Sequence, residues 1–249
     1  MREKKVMTIQ DISCVGQCSL TVALPIISAC GSETAILPSA VLSTHTGFQG
    51  FTFHDLSDDI QAIANHWKNE KICFDAIYSG YLGSVRQVDD VIALMNTLLT
   101  ENGEKIVDPA MADNGKLYTG FDQVFVQAMK RLCGQADVIL PNITEAALLT
   151  DSEYCMDNHS SEYIEHLLRK LGELGAKTVI LKGVMDRAGQ IGVIVYDVAS
   201  KEKLSYYTKK IEKSSHGTGD CFASVFTGAL MRGFDYFSAA KLEADFVVT

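Results

Sequence analysis

Apolar segments rich in β-branched residues alternate along this chain with segments whose apolar residues recur every three or four positions. The first pattern is typical of buried strands and the second of helices. Strands are predicted at Val6–Gln10, Thr34–Leu37, Ala76–Ser79, Lys105–Asp108, Asp137–Leu140, Thr178–Lys182 and Gly192–Tyr196. Helices are predicted between them, near residues 19–30, 57–69, 86–101, 121–133, 143–150 and 160–174. This alternation predicts an α/β fold with a mainly parallel sheet covered by helices on both faces.

The C-terminal third departs from this alternation. Gly192–Tyr196 and Leu204–Thr208 are joined by the polar residues 200–203, which predicts an antiparallel hairpin. No repeat or linker divides the chain, so we expect residues 1–249 to form a single domain. The apolar residues of Lys241–Thr249 look like part of another packed element. Because an α/β domain seldom stops there, truncation at the C-terminus stays open.

Composition narrows the possible partners. With 47% hydrophobic residues among 249, the chain can bury a full core, and no apolar run approaches the roughly 18 residues of a membrane span. The seven scattered cysteines predict reduced thiols, so we expect a cytoplasmic protein without a membrane partner. Cys14 and Cys18 lack the further ligands of a zinc site. The net charge of −9 argues against nucleic acid but leaves a nucleotide substrate open.

The run Ser214–Ala223 carries the strongest chemical signal. From Asp220 onward the apolar spacing predicts a helix that ends at Gly233. Gly217 and Gly219 leave backbone N–H groups uncovered at the start of that helix, where its partial positive charge attracts anions, phosphate above all. The same field is expected to keep Asp220 ionised and able to accept a proton. This combination suits phosphoryl transfer to a hydroxyl, although alone the run also fits an ordinary glycine-rich helix cap.

Polar residues follow nearly every predicted strand. These groups are Gln10-Asp11, Ser79–Gly83, Asp108–Met111, Pro141–Glu145, Lys182-Gly183 and Gly217–Asp220. Open α/β sheets bind ligands at the carboxyl ends of their strands, so these groups predict one site at that edge. The sequence contains no GxxxxGK[ST] and no N-terminal GxGxxG, which argues against a P-loop enzyme and a dinucleotide-binding protein.

Seven segments resemble a known family in their order and spacing. They are TIQDISCVGQCSLTVALPIISACG, LSTHTGFQGF, AIYSGYLGS, DPAMADNGKLYTGF, ADVILPNITEAALL, VILKG and HGTGDCFASVFTGAL. Together they resemble the pyridoxal kinase family of the ribokinase-like superfamily over nearly the whole chain. The resemblance implies a three-layer ribokinase-like sandwich and an ATP-dependent kinase.

The resemblance also implies roles in phosphoryl transfer. Asp220 resembles the catalytic base that takes the proton of the substrate's CH₂OH group. The amides of Gly217, Thr218 and Gly219 would form the anion hole for the transferring group. Because the transition state spreads negative charge over oxygens, positioned amides and metal would do most of the work.

Acidic and basic residues on the nucleotide side have implied roles as well. Asp108 and Glu145, with Asn142, resemble the set that holds Mg²⁺ against the ATP phosphates, directly or through water. Lys182 resembles a ligand that neutralises phosphate. Simpler interpretations stay open: Asp108 in a strand-ending turn, Asn142 and Glu145 as a helix capping box, and Lys182 as a solvated charge.

Two substrate-side residues match the family and two depart from it. Thr46 and Tyr81 match positions near the pyridine substrate, although Tyr81 also fits core packing. Asp11 stands where Ser is common, and Gly47 stands where the bacterial enzymes often carry Gln. The exact substrate therefore stays open. Cys commonly replaces the catalytic Asp in the related hydroxymethylpyrimidine kinases, so Asp220 favours the pyridoxal branch.

The sequence therefore predicts an Mg²⁺-requiring, ATP-dependent kinase of a vitamin B6 vitamer. The nearest alternative is a hydroxymethylpyrimidine or phosphomethylpyrimidine kinase of thiamine synthesis with the same mechanism. Alternatives from other classes are a non-catalytic small-molecule-binding protein on the same fold and a nicotinamide-dependent oxidoreductase. The family implies a homodimer, and a requirement for a monovalent cation such as K⁺ stays open.

Overall fold

The computed structural model describes residues 3–186, 189–211 and 217–247. Its strands are β1 (Lys5–Ser13), β2 (Glu33–Leu42), β3 (Phe53–Asp55), β4 (Phe74–Ser79), β5 (Leu99–Val107), β6 (Ala112–Asp113), β7 (Lys116–Leu117), β8 (Val138–Ile139), β9 (Thr178–Met185), β10 (Gln190–Asp197) and β11 (Lys203–Lys209). Its helices are α1 (Leu20–Ala29), α2 (Ser57–Asn69), α3 (Val85–Thr97), α4 (Gln123–Cys133), α5 (Ile143–Leu149), α6 (Ser161–Gly172), α7 (Thr218–Met231) and α8 (Tyr236–Val247).

Nine of these strands form one sheet in the order β11-β10-β9-β8-β5-β4-β1-β2-β3. The strands from β9 to β2 in that order pair in parallel, which confirms the mainly parallel sheet. Strands β10 and β11 pair antiparallel, which confirms the predicted hairpin, and β3 adds a short antiparallel edge beside β2. Strands β6 and β7 form a separate small hairpin. A single domain over residues 1–249 stays a prediction.

Helices cover both faces of the sheet because its strands are apolar on both sides. In β1, Met7 and Ile9 join the core beneath α2 to α6, whereas Val6 faces the opposite core beneath α1, α7 and α8. Successive strand residues point to opposite faces, so one strand serves two cores. The result is the predicted three-layer arrangement, and it places the carboxyl ends of the parallel strands along one edge.

The third predicted helix was too long. The helix ends at Thr97, and residues from Leu99 onward belong to β5. The register between β4 and β5 shifts after the pair Phe74 and Leu99. A Cβ on Gly103 would lie 2.7 Å from the Leu99 side chain and 3.1 Å from the Phe74 carbonyl oxygen. The start of the strand is therefore irregular, and at Gly103 its backbone lies close to neighbouring atoms. The helical periodicity of the sequence did not reveal this irregularity.

Packing of the last helix also differs from expectation. Leu242 and Phe246 lie on the exposed side of α8, whereas Ala239, Ala240 and Glu243 face the core. The helical period places the small residues Ala239 and Ala240 on the inner face, where α8 packs against α7. Among the helices of the described residues, none combines the length and apolar character needed to cross a membrane.

Candidate active site

A cavity of about 340 Å³ opens at the carboxyl edge of the sheet. The residues predicted to bind the substrate all line it: Asp11, Thr46, Gly47 and Tyr81. Gly217 and Asp220 line the same cavity from the start of α7. The fold therefore brings the substrate-side residues and the predicted base, which are far apart in sequence, into a single space.

The start of α7 is shaped by a close backbone contact. Gly217 has φ +81°, and a Cβ added there would lie 2.0 Å from the carbonyl oxygen of Gln17. Only glycine tolerates both conditions. Helix α7 begins at Thr218, and the partial positive charge at the start of a helix attracts anions. Residues 214–216 of the predicted motif lie outside the described residues.

Asp220 is held by the backbone of another segment. The N–H of Ser19 donates to Oδ2 of Asp220 at 2.9 Å. The pKa of Asp220 is raised to about 7, chiefly by burial; the nearby Asp108 and Asp11 contribute to this rise, whereas the N–H of Ser19 and the Lys182 ammonium oppose it. Desolvation thus opposes the helix field that was expected to keep this carboxyl ionised.

Lys182 is not a solvated charge. Its side chain is buried at the edge of β9, and Nζ donates to Oδ2 of Asp108 at 2.8 Å. Burial alone would lower the pKa of Lys182, but Asp108 and Glu145 raise it above its ordinary value, so the group is an ammonium. Nζ also lies 5.6 Å from the ring centre of Phe222, near the start of α7. Lys182 thus lies between Asp108 and the start of that helix.

Glu145 forms the capping box that the sequence allowed. Its Oε2 accepts from the N–H of Asn142 at 2.8 Å, and Oδ1 of Asn142 accepts from the N–H of Glu145 at 2.9 Å. Oε1 of Glu145 accepts from the N–H of Met111 at 3.3 Å. Burial and repulsion from Asp108 together raise the pKa of Glu145 to about 8. Both carboxylate oxygens are therefore engaged with backbone.

The acidic residues fit a magnesium ion that takes only one or two of its ligands from the protein. Asp108 raises the pKa of both Glu145 and Asp220, and the Lys182 ammonium lowers the pKa of all three carboxyl groups. A bound cation would relieve this repulsion between carboxylates. Within the described ranges, no three His, Cys, Asp or Glu side chains converge as a metal cage. Mg²⁺ commonly takes one or two carboxylates together with waters and substrate phosphates, which matches this arrangement.

A second buried carboxyl group, that of Asp11, lines the cavity together with Asp220. Asp11 is 3% exposed and accepts from Oγ of Ser13 at 2.8 Å. Burial raises its pKa. The ring of Tyr81 stacks on Phe121 with centroids 5.5 Å apart, and burial raises the pKa of Tyr81 to about 12. A neutral phenol and a buried carboxyl group therefore form part of the cavity wall.

The loop around His45 supplies the other two residues that were predicted to bind the substrate. Thr46 and Gly47 follow His45, whose Nδ1 accepts from the N–H of Gly47 at 3.2 Å. The His45 ring contacts Phe48 edge-on, with centroids 4.9 Å apart. His45 thus organises this turn, and Gly47 leaves its part of the cavity wall without a side chain.

Several cavity residues were not predicted from the sequence. Ser13, Cys18, Ser19 and Tyr118 line the cavity beside the predicted residues. Ser13 ends β1, and Cys18 and Ser19 lie in the turn before α1. The glycine in CVGQCS marked a turn, but nothing in the sequence indicated which of its side chains face the cavity.

Comparisons with known proteins agree on one family. A family model described as phosphomethylpyrimidine kinase matches residues 36–249. A candidate phosphomethylpyrimidine kinase from Bacteroides thetaiotaomicron, solved with pyridoxal, is 37% identical with a TM-score of 0.93, covering 99% of this chain and 87% of that one. Pyridoxal kinase from Lactobacillus plantarum is 34% identical with a TM-score of 0.89, covering 98% of this chain and 86% of that one. Pyridoxal kinase from Dictyostelium discoideum is 26% identical over 247 residues, covering 92% of this chain and 79% of that protein.

Proposed function

Because the chain belongs to the family of pyridoxal and phosphomethylpyrimidine kinases, within the ribokinase-like superfamily, we propose that it phosphorylates the hydroxymethyl group of a vitamin B6 vitamer with ATP. The candidate vitamers are pyridoxal, pyridoxine and pyridoxamine. The observation that carries the proposal is the position of Asp220. It lies in the ring-sized cavity and in the first turn of α7, where an alcohol and a phosphoryl group would meet.

The proposed reaction uses the residues of this chain in a simple sequence. Asp220 accepts the proton of the substrate hydroxyl while the oxygen of that hydroxyl attacks the terminal phosphorus of ATP. A bond forms between that oxygen and phosphorus, the bond from phosphorus to the bridging oxygen breaks, and ADP leaves. The amides of Gly217, Thr218 and Gly219 stabilise the charge that develops on the transferring group. Lys182 adds positive charge beside them.

Magnesium fits the nucleotide side of this site. Asp108 would hold the ion, with Glu145 acting through water because its own oxygens cap α5. When bound, Mg²⁺ would neutralise the ATP phosphates. Asn142 positions Glu145 through the capping box.

The nearest alternative is phosphorylation of hydroxymethylpyrimidine or its phosphate. The description of the matching family supports this activity. Two observations favour a B6 vitamer: a 34% identical relative is a pyridoxal kinase, and a 37% identical relative was solved with pyridoxal. A non-catalytic binding protein would not need Asp220 at an open helix start. A nicotinamide-dependent oxidoreductase is disfavoured by the missing glycine fingerprint.

The direct test is an ATP-consumption assay with pyridoxal, pyridoxine, pyridoxamine and hydroxymethylpyrimidine. We expect ADP formation to require one of the three B6 vitamers. A marked preference for hydroxymethylpyrimidine would favour the thiamine alternative. Binding of a vitamer without any ADP formation would indicate the non-catalytic alternative, and a hydride-transfer assay with NAD and NADP tests the oxidoreductase.

Asp108→Asn and Glu145→Gln are expected to raise the Mg²⁺ concentration needed for half-maximal rate. Glutamine at position 145 can still complete the capping box, so the stability of α5 should change little. The shift in metal dependence should be larger for Asp108, whose ligation is proposed to be direct. Rate measurements over a magnesium titration at saturating ATP check this. If both titrations match wild type, the acidic residues are structural.

Asp11→Ser is expected to change the relative kcat/KM among pyridoxal, pyridoxamine and hydroxymethylpyrimidine by about tenfold. An ionised carboxylate accepts hydrogen bonds but cannot donate them, so Asp11 suits a ring that carries an N–H or a positive charge. Loss of a hydrogen bond to a charged group costs about 1.5–3 kcal/mol, which corresponds to a change in kcat/KM of at least about tenfold. The KM for ATP should stay unchanged. An unaltered substrate ranking would place Asp11 outside the ring-binding part of the cavity.

Three further properties are proposals. The scattered cysteines support a cytoplasmic protein, the family resemblance implies a homodimer, and a requirement for K⁺ as an activating monovalent cation stays open. Sedimentation equilibrium measures the oligomeric state, and replacing K⁺ by tetramethylammonium in the kinase assay measures the cation requirement.

A further inference from the structure

Gln87 has a fully buried amide side chain near the start of α3. Its Oε1 accepts from the N–H of Gly83 at 2.7 Å. On the other side of the amide, Nε2 donates to the carbonyl oxygen of Ser39 at 2.9 Å. Oγ of Ser57 and Oδ1 of Asp55 lie 2.9 and 3.0 Å from the same nitrogen. The acceptor and the donors of this amide are therefore all engaged, and they reach different segments of the chain.

The first of these segments is the loop of residues 80–84 between β4 and α3, which we call the Tyr81 loop. Tyr81 lines the cavity, and its carbonyl oxygen accepts from Oγ of Ser39 at 3.4 Å. A Cβ added to Gly83 would lie 3.1 Å from Cζ of Phe53 in β3, which is closer than an ordinary van der Waals contact. The Tyr81 loop therefore packs tightly against β2 and β3.

The second segment is the base of the loop of residues 43–52, which joins β2 to β3. This loop carries two further cavity residues, Thr46 and Gly47. Strands β2 and β3 pair antiparallel at its base. The same buried amide contacts β2 through Ser39 and β3 through Asp55. One side chain thus joins both strands below this loop to the Tyr81 loop.

A capping box does not account for the position of this amide. The sequence of residues 84–87, SVRQ, fits such a box, in which the serine caps the helix and the glutamine accepts from the N–H of that serine. The first half is present, because Oγ of Ser84 accepts from the N–H of Gln87 at 3.3 Å. In place of the second half, Oε1 of Gln87 accepts from the N–H of Gly83. The amide therefore extends beyond the start of α3 to the loops of the cavity.

We propose that Gln87 is a positioning residue that sets the spacing between Tyr81 on one loop and Thr46 and Gly47 on the other. Side chains on loops keep a precise place only where buried hydrogen bonds behind them hold the backbone. Gln87 supplies these bonds, and it is not among the residues that line the cavity, so it acts through the loops and not on the substrate. This inference rests on the proposed function, because it assigns the two loops to binding of the vitamer ring.

The test compares Gln87→Met with Gln87→Glu. Methionine has a similar length but no amide, whereas glutamate keeps the acceptor for Gly83 and loses the donor to β2 and β3. We expect the Kd for pyridoxal, measured by isothermal titration calorimetry without ATP, to rise about tenfold in both, the scale of one unsatisfied buried polar group. The KM for ATP should stay unchanged, and kcat at saturating pyridoxal should fall less than the Kd rises, because Asp220 is untouched. If Gln87→Met does not fold, Gln87→Glu carries the test.

Gln61→Met is the matched control. Nε2 of Gln61 donates to Oδ1 of the buried Asp90 at 2.6 Å, so this bond also joins α2 to α3. Neither residue lines the cavity. The control should therefore lower the Tm and leave the Kd for pyridoxal at its wild-type value. If Gln61→Met raises the Kd as much as the Gln87 variants do, loss of stability explains the effect and the proposal is overturned.

The remaining outcomes separate this inference from the proposed function. Should wild type bind pyridoxal without forming ADP, the proposed function falls, and the Kd values of the variants still decide the role of Gln87. Should wild type be active while both Gln87 variants keep its Kd, only the role of Gln87 falls. Should wild type bind no vitamer, the proposed function and this inference fall together.

Discussion

Asp220→Asn is expected to lower kcat by roughly 10²-fold or more, the usual scale for a lost general base. Asparagine has nearly the same shape and can still accept from the N–H of Ser19, so the fold and the start of α7 should be preserved. The amide cannot take the proton of the attacking hydroxyl. ATP binding should therefore persist while turnover is lost. Single-turnover kinetics together with nucleotide titration separate these two quantities.

The pH dependence of wild type should report the same group. Burial raises the pKa of Asp220 to about 7, and the base acts only when ionised. The kcat/KM for the vitamer should therefore rise with pH up to about 7 and then level off, falling about tenfold per unit on the acid side. The residual activity of Asp220→Asn should lack this fall in kcat/KM at acidic pH. Near-normal turnover in the variant would show that Asp220 is not the base.

Gly217→Ala is expected to be the most damaging change among the glycines of the site. Its Cβ would lie 2.0 Å from the carbonyl oxygen of Gln17, and the backbone would have to keep φ +81°. The turn before α1 and the start of α7 must then separate. Because Ser19 holds Asp220 across this contact, the base would move relative to the anion site. Misplacement by about 1 Å can cost 10²-fold in rate, and the strain should lower the free energy of unfolding by about 1–3 kcal/mol.

Gly233→Ala separates the effect of backbone strain from the effect of the steric collision. Gly233 has φ +90° at the end of α7, and a Cβ there would meet no atom within 4 Å. This variant should show the backbone strain without the collision, and so a lower Tm with normal kcat. Thermal unfolding and steady-state kinetics of both variants make the comparison. Normal activity in Gly217→Ala would mean that the contact with Gln17 does not shape the site.

The periodicity of apolar residues in the sequence was sufficient to predict most of the fold. The helix predicted at residues 57–69 matches α2, and the hairpin over Gly192–Tyr196 and Leu204–Thr208 is present. These segments have a clear period and are bounded by polar residues, so local pattern and tertiary structure agree. The prediction failed where the two conflict. The helix over residues 86–101 ran into β5 because Leu98 and Leu99 continue the apolar pattern while the backbone has already turned.

The convergence of the site could also be foreseen in outline. Asp11, Tyr81 and Asp220 were placed by the rule that parallel strands present their carboxyl ends at one edge, and all three line one cavity. Their roles remain predictions. The state of each charge was not foreseeable, since it depends on distances between side chains of different elements. Lys182 is buried against Asp108, and both oxygens of Glu145 are engaged by backbone N–H groups.

The sequence alone determined the order of strands and helices, the family, and the chemical types gathered at one edge of the sheet. These depend on local patterns of apolar residues, glycines and carboxylates, which are legible one segment at a time. The tertiary structure decided the pKa of Asp220, the pairing of Lys182 and the place of Ser19. Each of these depends on desolvation or on contacts between residues far apart along the chain, such as Ser19 and Asp220. No local pattern encodes such contacts, because they arise from the packing of elements far apart along the chain, such as α1 against α7.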